Sequence, residues 1–150
     1  MLEAIKKAEE NIMTGKGGPF GAVVVRNGKV IAAAGNCVTS TNDPTAHAEV
    51  VAIRDACKML ETFDLSGCEI YASCEPCPMC LGAIMWSRID KLYYAADRND
   101  AAKAGFDDDV FYTEINLPVN ERRMKPLQLL QKEAIVVFDK WNETIDKIPY

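Results

Sequence analysis

Apolar residues recur at helical spacing from the start of the chain. Leu2, Ile5, Ile12 and Met13, with Ala8 between them, predict an amphipathic helix over residues 2–14 that Gly15, Gly17 and Gly18 end. The pattern then changes. Residues 19–26, Pro-Phe-Gly-Ala-Val-Val-Val-Arg, form a β-branched run, and Asn27-Gly28 is a hairpin signal because both residues accept a positive φ. Residues 29–34 return as the second strand, and a loop of small polar residues follows over 35–44. Helical spacing resumes over 45–60, with Pro44 just before its start. A strand over 69–73, a helix over 79–87 opened by Pro78, a strand over 89–95 and a helix over 97–104 come next. Residues 106–123 are acidic at first and irregular. Residues 125–130 read as a last strand and 133–147 as a closing helix, with Ala134, Val137, Phe138, Trp141 and Ile145 on one side. The order predicts one domain over residues 1–150, an α/β protein with a mixed sheet covered by helices.

Charge narrows the partners. Lys and Arg number 17 against 22 Asp and Glu, a formal net charge of −5. A protein whose task is to grip a polyanion usually carries a basic face, so nucleic acid is not expected as a partner. The amino-terminal stretch Leu2-Glu3-Ala4-Ile5-Lys6-Lys7 has charges where a secretory signal needs an apolar core, and no run approaches a membrane span. Six cysteines without such a signal, three of them within seven residues, favour reduced thiols and a metal over disulfides. The expected location is the cytoplasm.

The chemistry concentrates in two stretches. Thr45-Ala46-His47-Ala48-Glu49 supplies one imidazole and a carboxylate, and Pro76-Cys77-Pro78-Met79-Cys80 supplies two thiolates. Three ligands, His47, Cys77 and Cys80, leave the fourth position of a tetrahedral ion to water, as in catalytic rather than structural zinc sites. Such an ion brings its water to a pKa of roughly 7, and Glu49 is then a proton carrier able to pass a proton to a ring nitrogen and to a departing amine. Both cysteines fall at the start of a predicted helix, where unpaired N–H groups favour thiolate, and their spacing of three puts both on one face of the first turn. His47 and Glu49 are two apart, roughly 200° round a regular helix. They share a site only if it looks onto the helix end. The pattern H-x-E…P-C-x-x-C belongs to zinc-dependent nucleobase deaminases.

The surrounding residues extend the resemblance. Gly18-Pro19-Phe20-Gly21-Ala22, Thr41 through Glu49, Ser73 through Ile84, Ala104-Gly105-Phe106-Asp107-Asp108 and the final Tyr150 resemble the bacterial guanine deaminases of the cytidine-deaminase-like superfamily, over nearly the whole chain. The resemblance implies a three-layer α/β/α fold with a five-stranded mixed sheet, one Zn2+ per subunit held by His47, Cys77 and Cys80, and hydrolysis of guanine to xanthine and ammonia with attack at C2 and Glu49 as proton shuttle. It also implies substrate contacts from Phe20, Asn36, Ala48, Trp86, Asp108 and Tyr150, with Phe20 and Trp86 flanking the rings. Asp108 would accept from the purine N–H edge. It implies a homodimer, domain-swapped through residues 131–150, in which Tyr150 completes the neighbour's pocket. Ile148-Pro149 before the tyrosine departs from the family pattern. A buried carboxylate suits guanine, whose N1–H and amino group donate, and rejects bases that present an acceptor there.

Other readings stay open at this stage. The same fold serves deaminases of other amino-heterocycles, such as cytosine, a nucleoside or a triazine. A tRNA adenosine deaminase shares the metal motif, although residues 133–150 carry more acidic side chains than lysines. A non-catalytic zinc module would use Cys74 as a fourth, closing ligand. Taken without the resemblance, Phe20 and Trp86 read as core aromatics, Asn36 as a turn residue and Asp107-Asp108-Asp109 as a solvated cap.

Overall fold

A computed structural model describes all 150 residues. The chain divides into two compact units, Met1–Asp109 and Val110–Tyr150.

The first unit follows the sequence pattern closely. Helix α1 (Leu2–Thr14) ends at Gly15 in the left-handed region, and strands β1 (Gly21–Arg26) and β2 (Lys29–Gly35) form the expected hairpin. Its turn places Asn27 and Gly28 at φ of 52° and 72°, as a tight hairpin requires. The polar loop after β2 contains one short helix, α2 (Val38–Thr41). Helix α3 (Ala48–Leu60), strand β3 (Cys68–Cys74), helix α4 (Pro78–Trp86), strand β4 (Lys91–Ala96) and helix α5 (Arg98–Lys103) complete the unit. Asp97 caps α5, accepting from the Asp100 N–H, while the Asp100 carboxylate accepts from the Asp97 N–H.

The sheet has four strands in the order β2-β1-β3-β4. The first three are antiparallel neighbours; β3 and β4 run parallel, joined through α4 as a parallel pair requires. Side-chain alternation sorts the two faces. Ala22 and Val24 of β1, Ala32 and Ala34 of β2 and Ile70 of β3 pack with Ala48, Ala52, Ile53 and Ala56 of α3 and Ile84 of α4. On the other face Gly21 lies under α1, so close that a Cβ there would stand 2.2 Å from the Ala4 carbonyl oxygen and 2.7 Å from the Ala8 amide nitrogen. Both are backbone atoms that cannot swing aside. Gly21→Ala is therefore expected to cost about 3 kcal/mol or more, seen as a large drop in the urea midpoint. A wild-type midpoint would mean that α1 shifts freely on the sheet.

The second unit holds α6 beyond Asp109 (the helix spans Asp109–Asn116), a single 3-10 turn at Val119–Glu121 and α7 (Gln131–Glu143). Two expectations are corrected here. Residues 109–116 are helical rather than irregular: Asp109 opens the helix with its N–H bonded to the Asp107 carboxylate, and an acid in the first turn suits the helix dipole. The strand expected over 125–130 does not form, so the sheet has four strands and not five. A strand is defined by its ladder, and Lys-Pro-Leu-Gln-Leu-Leu finds no partner within the chain.

Candidate active site

The metal-binding pattern assembles at two helix starts. His47 is the residue before α3, extended at φ −65° and ψ 154°; Cys77 holds the equivalent place before α4, at φ −64° and ψ 167°. Because His47 is not yet helical, its imidazole and the Glu49 side chain reach the same space, which meets the geometric demand of their two-residue spacing. Cys80 follows one turn into α4 and is fully buried.

The distances fit a tetrahedral ion. Nδ1 of His47 lies 3.6 Å from Sγ of Cys77 and 3.5 Å from Sγ of Cys80, and the three atoms lie within 4.8 Å of one another. With metal–sulfur bonds of about 2.3 Å and a metal–nitrogen bond of about 2.05 Å, tetrahedral geometry separates nitrogen from sulfur by about 3.6 Å. The donor set is that of zinc. Glu49 is not part of this trio, but its Oε2 accepts from the Cys80 thiol at 3.5 Å. Neither is Cys74, whose thiol turns to the Asp97 carbonyl at 3.6 Å. The site is thus open on one side, against the closed arrangement that a fourth cysteine would make.

Electrostatics matches these roles. The Cys77 thiol is drawn down to about 4, first by the hydrogen bond from Cys80 and also by His47. Cys80 is pushed up as the donor of that pair and by burial. His47 is raised by its bond to Cys77. Burial lifts the Glu49 carboxyl, which is only 8 % exposed, so that it holds a proton more readily than a surface glutamate. Burial also raises Cys74, to about 11 from an ordinary 9. Between those values the folded chain keeps a proton that the unfolded chain has released, so this thiol's contribution to stability falls as pH rises from about 9 to about 11, by about 2 to 3 kcal/mol in all. In Cys74→Ala the alkaline loss of stability, followed by urea unfolding between those pH values, should be shallower by that amount; parallel curves would refute it.

The other expected site residues are distributed unevenly. Asn36 is buried at the end of β2; its backbone N–H donates to the Phe20 carbonyl at 3.0 Å, while the next N–H, of Cys37, bonds to the carbonyl of Ala46, the residue before His47. Ala48 is fully buried at the first position of α3. Asp108 is half-buried and near enough to act on His47, and the Cys77 charge adds to burial in raising its own carboxyl. Trp86 stands at the far end of α4, roughly 13 Å along the helix axis from Cys77 at about 1.5 Å per residue, and is 68 % exposed. Tyr150 belongs to the second unit and is exposed. One aromatic was not singled out from the sequence: Phe106 meets Phe20 edge to face, centroids 4.8 Å apart at 85°. Its place two residues before Asp108 was the available signal.

Comparison with known proteins agrees with this geometry. The profile of the cytidine and deoxycytidylate deaminase zinc-binding region matches residues 1–96. The chain belongs to this family. His47, Cys77 and Cys80 are its zinc-binding set. Across its whole length the chain is 50 % identical to guanine deaminase of Bacillus subtilis (strain 168), covering 96 % of that protein. The X-ray structure of guanine deaminase from Bacillus subtilis superposes with a TM-score of 0.96, over 99 % of this chain and 95 % of that one. A tRNA-specific adenosine deaminase of Aquifex aeolicus (strain VF5) is 49 % identical, but over 78 residues that span 52 % of each chain.

Proposed function

We propose that the protein is a zinc-dependent guanine deaminase, hydrolysing guanine to xanthine and ammonia. The observation that carries this reading is the reach of the similarity. Likeness to the Bacillus guanine deaminase runs the length of the chain, through Asp108 and Tyr150, whereas likeness to the tRNA deaminase covers half of it. The net charge of −5 also suits a small base better than a polyanion.

Zinc in this site would supply a nucleophile of hydroxide character at neutral pH. The chain's own groups do the rest. Glu49 takes a proton from the attacking water and delivers protons to a ring nitrogen and then to the amine at C2, which leaves as ammonia; its burial-raised pKa suits both acceptance and delivery. Asp108 accepts from N1–H and the exocyclic amine, and a base with an acceptor there would leave a carboxylate unpaired. Asn36 donates to the purine. Ala48, whose amide at the first helical position has no acceptor within α3, offers a second donor. Phe20 covers one ring face, braced by Phe106, and Trp86 flanks the rings from the end of α4.

The reading includes a homodimer in which residues 131–150 are exchanged. Within the second unit no side chain is buried, and α7 leaves Val136, Val137, Phe138 and Trp141 exposed, a face that needs a cover. Exchange of this segment would carry Tyr150 into the neighbour's site. Removing Pro149-Tyr150 should lower kcat/KM about tenfold without unfolding the first unit. Mixed dimers of this truncation with a Glu49→Gln chain should regain activity, because the intact tail then reaches the intact Glu49. No recovery would place the tail outside the partner's site. None of the six cysteines is in a disulfide, which suits a cytoplasmic setting.

The decisive experiment is ammonia release from free bases, nucleosides and tRNA by zinc-replete protein. Guanine should exceed adenine and cytosine by a factor of about 10⁴ or more, the scale for a site built on hydrogen bonds. Preference for another heterocycle would keep the metal chemistry and remove Asp108 from its role.

A further inference from the structure

Helix α1 buries one polar side chain, that of Asn11, which is 6 % exposed. A buried amide in a face otherwise made of Ala4 and Ala8 calls for hydrogen bonds, and it has them. Asn11 Nδ2 donates to the Asn36 carbonyl at 2.6 Å and to the Gly18 carbonyl at 2.9 Å. Two carbonyls on one nitrogen leave only one orientation for this amide, with Oδ1 turned to Gly35. The space is cut to fit: a Cβ on Gly35 would stand 2.6 Å from that Oδ1, and one on Gly17 would fall 2.0 Å from the Asn36 carbonyl oxygen.

Asn36 is held in the same way. Asn36 Oδ1 accepts from the Val38 N–H at 3.1 Å and the Gly18 N–H at 3.4 Å. Two backbone donors hold the oxygen inward, so the Asn36 amide presents only its Nδ2 to a ligand. A group so presented recognises an acceptor, a carbonyl oxygen or an unprotonated ring nitrogen, and refuses a donor. Asn11 secures this arrangement from both sides, gripping the Asn36 backbone and, through Gly18, the loop whose N–H holds the Asn36 oxygen.

We infer that Asn11, on the helix across the sheet from the metal-binding helices, is a positioning residue that sets Asn36 as a donor and thereby the orientation of the bound purine. The inference rests on the proposal that Asn36 touches the substrate. It is tested by a double-mutant cycle on the zinc-loaded protein, with zinc content and thermal midpoint measured beside kcat and KM for guanine. Asn36→Ala should lower kcat/KM by about tenfold to a hundredfold, and Asn11→Ala by about tenfold with zinc retained. The double variant should be no worse than Asn36→Ala alone, within about twofold, because Asn11 then has nothing left to position. Asn11→Ser, which keeps a donor on a shorter arm, should recover part of the loss; it also serves where Asn11→Ala does not fold. Losses that multiply, or an Asn11→Ala enzyme with wild-type kcat/KM, would overturn the inference and leave Asn36 in place. An Asn36→Ala enzyme with wild-type kcat/KM would overturn the substrate contact itself, and the inference with it.

Discussion

Glu49→Gln should keep its zinc and its fold while turnover of guanine falls by a factor of roughly 10² to 10⁴, the range that a positioned proton carrier supplies. The expectation follows from placement. Glu49 is buried and outside the ligand trio, with Oε2 held at 3.5 Å from the Cys80 sulfur. Glutamine preserves the volume and can still accept a hydrogen bond there, but it cannot take up and return a proton. Zinc content measured by atomic absorption separates this from loss of the ion. A variant with stoichiometric zinc and undiminished kcat would show that the proton travels by another route.

Removal of a ligand should act on stability as well as on rate. Cys80→Ala leaves His47 and Cys77 to hold the ion, and purified protein should carry zinc well below one equivalent with deamination at background. Because the ion binds the folded chain, its loss also withdraws binding energy from folding, about 4 kcal/mol for zinc at a thousand times its dissociation constant. For a chain of this size that is a fall in Tm of roughly 8 to 16 °C. Treating the wild-type protein with a chelator should reproduce most of the shift. A Tm insensitive to chelation would mean that the helix starts keep their arrangement by themselves.

Much of the fold was legible because its elements are local. The 2–14 helix, the Asn27-Gly28 hairpin and the strands flanking the two metal-binding helices rest on periodicity and turn chemistry that no distant contact overrules. The metal trio was legible for a different reason: ligand types at fixed spacing next to helix starts leave few other chemistries. What escaped depends on partners. Residues 125–130 read as a strand, but an apolar run states a preference for a sheet and cannot provide one. The helix at 109–116 was hidden because its opening residue, Asp109, closes a run of three aspartates that reads as solvated. Asn11 carries no signal within the 2–14 helix, since nothing in a sequence distinguishes an asparagine that faces water from one that faces two carbonyls. Phe106 was passed over because only the fold brings it to Phe20.

His47 and Cys77 each stand as the last extended residue before a helix, α3 and α4 respectively, and neither helix start has a side-chain cap. An ion shared between them therefore ties two first turns together at the point where an isolated helix unravels most easily. Once it is in place, the opening of α3 and the opening of α4 become a single event. The elements that carry Glu49 and Cys80 then hold their spacing through a bond network rather than through the small alanine-rich interior beneath them. Loss of order in this protein should accordingly begin at those two turns, and metal occupancy sets how often it begins.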